Sequence, residues 1–219
     1  YYPISLTIAG TIGVLYILKF HDFLSCPCVA DICPFVHLSA EGSFFMYFTD
    51  QLEENMAWLN QALHVDKNFD VVYRVLTIAD KKACLYFIDG FTKDDSLLKI
   101  LQGFSSIKAD DMPEDAHSFS KKYLPYGEIG LLSDSREMII QLLSGVSCLF
   151  IDGYNKCLTI DCRTYPARGV SEPEKDKVMR GSRDGFVETL VFNTALIRRR
   201  IRDPKLIMEI LTAGESSHT

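Results

Sequence analysis

Residues 69–89 read FDVVYRVLTIADKKACLYFID. Two runs rich in Val, Ile, Leu, Tyr and Phe, 69–78 and 82–89, flank the polar break Ala79-Asp80-Lys81, and this composition predicts a β-hairpin. Upstream, TDQLEENMAWLNQALH (49–64) places Leu52, Met56, Leu59 and Leu63 on one helical face, with Asp50 and Glu53 at capping-box spacing. Downstream, KDDSLLKILQGF (93–104) predicts a helix whose acidic first turn suits the macrodipole.

Farther along, the polar stretch 108–121 reads as a surface connection or short helix. YGEIGLLSD (126–134) is a strand candidate, and SREMIIQLLSG is a helix stopped by Gly145. VSCLFIDGYNKCLTIDC (146–162) predicts a second hairpin. In its returning strand Leu158, Ile160 and Cys162 alternate with Thr159 and Asp161, the period of a half-buried strand. Finally, Asp184 is positioned to cap a long helix, GFVETLVFNTALIRRRIRD (185–203), ended by Pro204. On that helix Arg198 and Arg202 would share a face, with Arg199 and Arg200 pointing elsewhere. Helices and strands interleave throughout, so the fold class is α/β, a mixed β-sheet flanked by helices.

Composition agrees with such a core. The chain has 219 residues, 47% of them hydrophobic and 24% charged, which excludes a disordered polymer. Seven cysteines, odd in number and without a paired framework, read as reduced thiols of an intracellular compartment. Residues 4–20, ISLTIAGTIGVLYILKF, carry a single charge. They are just long enough to cross a bilayer as a helix and read equally as a buried core segment. After them Cys26, Cys28 and Cys33 lie between His21 and His37. A structural zinc site wants C-x₂₋₄-C spacing and a second knuckle, and neither is present, so no metal is expected.

Two strand ends echo each other, CLYFIDGFTK (84–93) and CLFIDGYNK (148–156). Asp-Gly after an apolar strand is turn chemistry, because glycine tolerates positive φ and Asp bonds its own backbone. That reading is preferred over a paired-carboxylate site made by Asp89 and Asp152. No phosphate-binding glycine loop, zinc-protease helix or serine-hydrolase elbow is present. No catalytic residue, metal or cofactor is therefore expected, and the protein is read as a non-enzyme.

Charge is unevenly distributed. Residues 163–204 gather ten Lys/Arg against six Asp/Glu, while the whole chain carries 23 against 29. Glu172, Glu174, Asp176, Asp184 and Glu188 each have a basic neighbour within a few residues, which keeps a carboxylate ionised and makes it a poor general acid. Those same carboxylates, and the lack of interleaved aromatic platforms, argue against nucleic acid as the partner.

In wording, RTYPARGVSEPEKDKVMRGSRDGFVETLVFNTALIRRRIRDPKL (163–206) resembles the signature region of the A-subunit family of bacterial spore germinant receptors. The family pattern falls on Arg168, Glu172-Pro173, Asp176, Arg180-Gly181, Gly185-Phe186, Glu188, Asn193 and Arg198, Arg199 and Arg200. Asp176 and Gly181-Ser182, where receptor subunits usually carry Glu and Gly-Pro, incline the match to the stage V sporulation protein AF branch. The segments LEENMAWLNQAL, FDVVYRVL, LYFIDGFTKDD and LLSGVSCLFIDGY match in order, so the resemblance covers residues 46–219.

The resemblance implies a soluble, cytoplasm-facing α/β region preceding transmembrane helices, in the inner spore membrane of a spore-forming bacterium. It implies a part in germination, through ion release or nutrient-receptor signalling. A non-conducting scaffold that docks other sporulation membrane proteins is the alternative. Partners would be other germination membrane proteins and further copies of the full-length chain. The expected division is an apolar, Cys-containing leader (1–45), a first soluble subdomain (46–204) and the start of a second (205–219). The candidate coupling residues are Arg168, Glu172, Asp176, Arg180, Arg183, Asp184, Glu188, Asn193, Arg198, Arg199 and Arg200. Their Arg side chains are expected to pair with carboxylates between subdomains or subunits, since the planar guanidinium stays charged when desolvated.

Overall fold

The computed structural model describes residues 5–9, 15–20, 36–38, 44–92, 94–124, 128–165, 186–187 and 189–211, with side chains from residue 46 onward except at residue 94. The hairpin that anchors the sequence reading is present as β5 (Val71–Ile78) and β6 (Lys81–Ile88), in register from Val71↔Ile88 to Ile78↔Lys81. A two-residue turn joins them, in which Ala79 takes φ +57°. The second hairpin, β8 (Ser147–Ile151) and β9 (Cys157–Ile160), pairs with it through Ala83↔Ile151 and Tyr86↔Cys148. Adding β7 (Ile129–Leu132) on β9 gives a five-stranded sheet ordered β5-β6-β8-β9-β7.

The α/β class is as the sequence implies, with one correction. Every pairing in this sheet is antiparallel, so the expected mixed sheet is not formed. Tight hairpins connect two of the neighbouring pairs, and a tight hairpin permits only antiparallel neighbours.

Helices cover both faces. α1 (Leu52–Ala62) and α4 (Ser135–Leu143) bury Leu52, Leu59, Met138 and Leu142 against Cys84, Tyr86, Cys148 and Phe150. On the other face, α2 (Asp94–Ser105) and α3 (Ala116–Tyr123) bury Phe104, Ala116 and Phe119 against Ala83, Leu85, Leu149 and Ile151. Alternate residues of β6 and β8 thus feed two separate cores, which is the period of a strand covered on both sides. The same cover explains a second correction. All four residues of β9 are buried, Thr159 included, whereas alternation had suggested a half-buried strand.

Caps fix the helix starts. Asp115 accepts the amides of His117 and Ser118, and Asp134 those of Arg136 and Glu137, as good N-caps do. The capping box expected at Asp50 and Glu53 does not form. Instead Asp152, from the β8–β9 turn, accepts the Leu52 amide at 3.1 Å. That turn also donates the Gly153 amide to the Asp50 carbonyl, so the second hairpin holds the first helix.

Within residues 4–20, read either as a membrane helix or as a buried core segment, the described parts 5–9 and 15–20 are strands. β1 (Ser5–Ala9) and β2 (Leu15–Phe20) pair antiparallel, and β2 pairs with β10 (Leu206–Glu209) from Leu206↔Phe20 to Glu209↔Ile17. A short ladder of β3 (Val36–Leu38) and β4 (Phe44–Met46) follows, with the Met46 amide on the Ser135 hydroxyl at 3.0 Å. Among the described residues no helix is long and apolar enough to cross a membrane.

Candidate functional site

One end of the sheet gathers the start of β5, the end of β6, the start of β8 and the end of β9, because the hairpins and the antiparallel β6–β8 pair alternate direction. Against this end lies α5 (Leu190–Arg200), the helix of the Arg-rich signature. It starts later and ends earlier than the sequence suggests. Its entry is set by Asn193, whose side chain accepts the Val187 amide at 2.7 Å and donates to the Val187 carbonyl at 2.6 Å. Asn55 holds Thr49 ahead of α1 by the same reciprocal pair, also six residues back, at 3.1 and 2.8 Å. Residue 187, clasped in this way, is kept out of the helix.

The three arginines at the helix end have unlike surroundings. Arg198 is fully buried, Arg199 and Arg200 are exposed. The Arg198 guanidinium forks onto Asp70, Nε to Oδ2 at 2.7 Å and Nη2 to Oδ1 at 3.0 Å. Its Nη2 also donates to Asn68 Oδ1 at 3.3 Å, and Nη1 donates to the carbonyls of Asp203 and Leu206 at 3.3 and 3.1 Å. All five N–H donors of the group are thereby satisfied, which is the condition for burying it without a large penalty. Because Nη1 takes the Asp203 and Leu206 carbonyls, the chain turns after Arg200, and Arg202 does not share a helical face with Arg198 as expected.

Asn68 completes the arrangement. Its Nδ2 donates to the Leu63 carbonyl at the end of α1 (2.7 Å), and its Oδ1 also accepts the Met208 amide of β10 (2.7 Å). The Phe69 amide donates back to the Met208 carbonyl at 3.1 Å. Residues 206–209 are therefore tied directly to the unit before them. The carboxylate partner of Arg198 belongs to the same α/β unit.

A second cluster sits beside the first. Arg163 forks onto Asp161 and donates to the Ser144 hydroxyl at the end of α4. The Arg163 guanidinium holds the Asp161 carboxyl below its ordinary value, against a smaller opposing effect of burial. Tyr165 donates to the Ser144 carbonyl at 2.9 Å, meets Phe91 edge-on at 5.3 Å and lies under the Arg199 guanidinium at 4.3 Å, a cation–π contact. Gly90 lets α5 approach. Its φ is +81°, and a Cβ there would come within 2.7 Å of Val191 Cγ1.

The candidates divide accordingly. Asn193, Arg198 and Arg199 converge on this end of the sheet, and Arg200 lies exposed beside them. Arg168, Glu172, Asp176, Arg180, Arg183, Asp184 and Glu188 lie outside the described residues, as do Cys26, Cys28, Cys33, His21 and the expected cap at Asp184. Asp89 and Asp152 fall at opposite ends of the antiparallel β6–β8 pair and form no carboxylate pair, so the turn reading of the echo stands. Cys84, Cys148, Cys157 and Cys162 are free thiols, and burial pushes the Cys84 thiol up to about 12. Among the described residues no cluster of three His, Cys, Asp or Glu could hold a metal. Sequence reasoning missed Asn68 and Asp70, which lie some 130 residues before their arginine and carry no local motif.

This three-layer α/β/α unit, with its arginine-bearing helix clasped at one sheet end, has counterparts of known identity. The chain belongs to the Bacillus/Clostridium GerA spore germination protein family, whose model matches residues 57–219. Stage V sporulation protein AF of Bacillus subtilis is 33% identical over 167 residues, 76% of this chain and 34% of that protein. Spore germination protein B1 of the same organism is 30% identical over 176 residues, 78% of this chain and 35% of that one. The chain thus spans about a third of the length of these curated relatives. The fold is shared with the crystal structure of the N-terminal domain of the A subunit of the Bacillus megaterium spore germinant receptor GerK3. That likeness has a TM-score of 0.55 at 20% identity and covers 72% of this chain and 57% of that one.

Proposed function

We propose that this chain is the N-terminal, cytoplasm-facing region of a membrane protein of the inner spore membrane that acts in germination, through ion release or nutrient-receptor signalling. The family match over residues 57–219 carries the reading, since the relatives it brings are spore germination proteins. Membrane helices would lie in the remaining two-thirds of a full-length relative-like chain, and the assembled protein would be a homo-oligomer working with other germination membrane proteins. The domain would act by transmitting and docking, without catalysis. Its Arg198 centre suits that task, because its directional bonds to Asp70, Asn68 and the Asp203 and Leu206 carbonyls are all met only when α5, the start of β5 and β10 are seated together.

The test is made in spores whose only copy of the full-length protein carries Arg198→Ala or lacks this domain. Monovalent cation release and loss of refractility are followed after nutrient addition. Both should slow several-fold with the protein still present in the membrane fraction. Unchanged release overturns the ion-release and signalling reading. If release is normal while other sporulation membrane proteins no longer co-isolate with the variant, the domain is a docking scaffold instead.

A further inference from the structure

β10 is attached to the rest of the molecule in an unusual way. Leu206 and Met208 do not join either of the two main cores. With Phe69 and Ile197 they form a small cluster of their own. β10 also pairs with β2, and among the described residues its directional bonds to the five-stranded unit meet at one polar centre. Within residues 197–209, Arg198 Nη1 binds the Asp203 and Leu206 carbonyls, and the Ile201 amide closes the last helical turn on the Ile197 carbonyl at 2.9 Å. Toward the body, the links are the Arg198 fork on Asp70, Arg198 to Asn68, Met208 to Asn68, and Phe69 to Met208.

These links cannot open singly at low cost. Arg198, Asp70 and Asn68 are 0%, 1% and 3% exposed, so a partly lifted β10 would leave a buried charge and a buried amide without partners until water entered. Intermediate positions are disfavoured, and the docked and water-filled states are the two that satisfy every group.

We propose that Arg198, Asp70 and Asn68 form a latch that docks the end of α5 and β10 as one cooperative unit. The unit opens all-or-none, ahead of global unfolding. A pull or push on the chain at β10 is thereby delivered to α5 and to the start of β5, rather than being absorbed by fraying of the strand. The inference concerns this chain alone and stands whether or not the germination reading holds.

Amide hydrogen exchange of the 219-residue chain in low urea tests it. The amides of Phe69, Ile201 and Met208 should share one opening event, with the same urea dependence, at lower urea than those of Tyr86 and Leu149 in the central sheet. Asn68→Ala removes the bridge, and with it one acceptor of Arg198 Nη2, while keeping both charges of the Asp70–Arg198 pair. It should speed exchange of Phe69 and Ile201 by at least about tenfold and by a common factor, leaving Tyr86 and Leu149 within about twofold. Met208 loses its own acceptor in this variant, so the decisive amides are Phe69 and Ile201, whose acceptors are untouched. The latch is refuted if only Met208 speeds up. It is equally refuted if all five amides accelerate together, since the unit would then have no independent opening.

Discussion

Replacing Arg198 by Ala leaves the Asp70 carboxylate, 1% exposed, without its counter-charge, and takes a donor from Asn68 Oδ1 and from the Asp203 and Leu206 carbonyls. Removing one partner of a buried pair costs about 3–5 kcal/mol. That is a large share of the roughly 5–15 kcal/mol available to a domain. With a urea slope of about 2 kcal/mol/M, the unfolding midpoint should fall by about 1.5–2.5 M. Arg199→Ala, one residue on, loses an exposed cation–π contact with Tyr165 and should cost only about 0.5–1 kcal/mol. The double variant Asp70→Leu/Arg198→Met removes both charges, so it should recover at least about half of the single-variant loss. Urea melts of the four proteins, followed by far-UV circular dichroism, give the comparison. If Arg198→Ala costs under about 1 kcal/mol, or the double variant is no more stable than Arg198→Ala, the pair does not hold this end of the sheet.

Gly90→Ala and Gly153→Ala alter the two echoing turns, both at positive φ, yet with unequal surroundings. At Gly90 a Cβ would meet Val191 and Ala195 of α5, at Gly153 only the movable tip of Lys81, so thermal melts should show the larger loss at Gly90. Asp161 has a folded-state pKa below its ordinary value, so its stabilisation is complete above about pH 4 and is lost as pH falls toward the folded pKa. Asp161→Asn should therefore flatten the acid limb of the stability–pH curve, and an unchanged limb would count against the Arg163 pairing. Among the four described thiols, a maleimide should label partly exposed Cys162 before Cys84, Cys148 and Cys157, all buried, when followed by peptide mass spectrometry. Labelling of Cys84 at an equal rate would show that the core opens more readily than its burial implies.

The fold was legible wherever local pattern and burial agree. Phe69 to Asp89 announced a hairpin because apolar β-formers bracket a polar break. Leu52, Leu59 and Leu63 announced a helix because their spacing follows the helical repeat, and all three are buried. The antiparallel direction of the whole sheet was not legible, since interleaved elements permit either hand of connection. The full burial of β9 also escaped, because a residue's own alternation does not reveal that helices cover both faces.

What the sequence determined by itself is the family wording, the elements and the concentration of arginine at the end of α5. Only the tertiary structure decided which arginine matters. Arg198, Arg199 and Arg200 are chemically identical neighbours, but α5 turns about 100° per residue, and one of them is swung onto Asp70 while its neighbours face out. Asn68 and Asp70 acquire their roles from a partner about 130 residues away, a proximity created by folding and absent from any local run of residues.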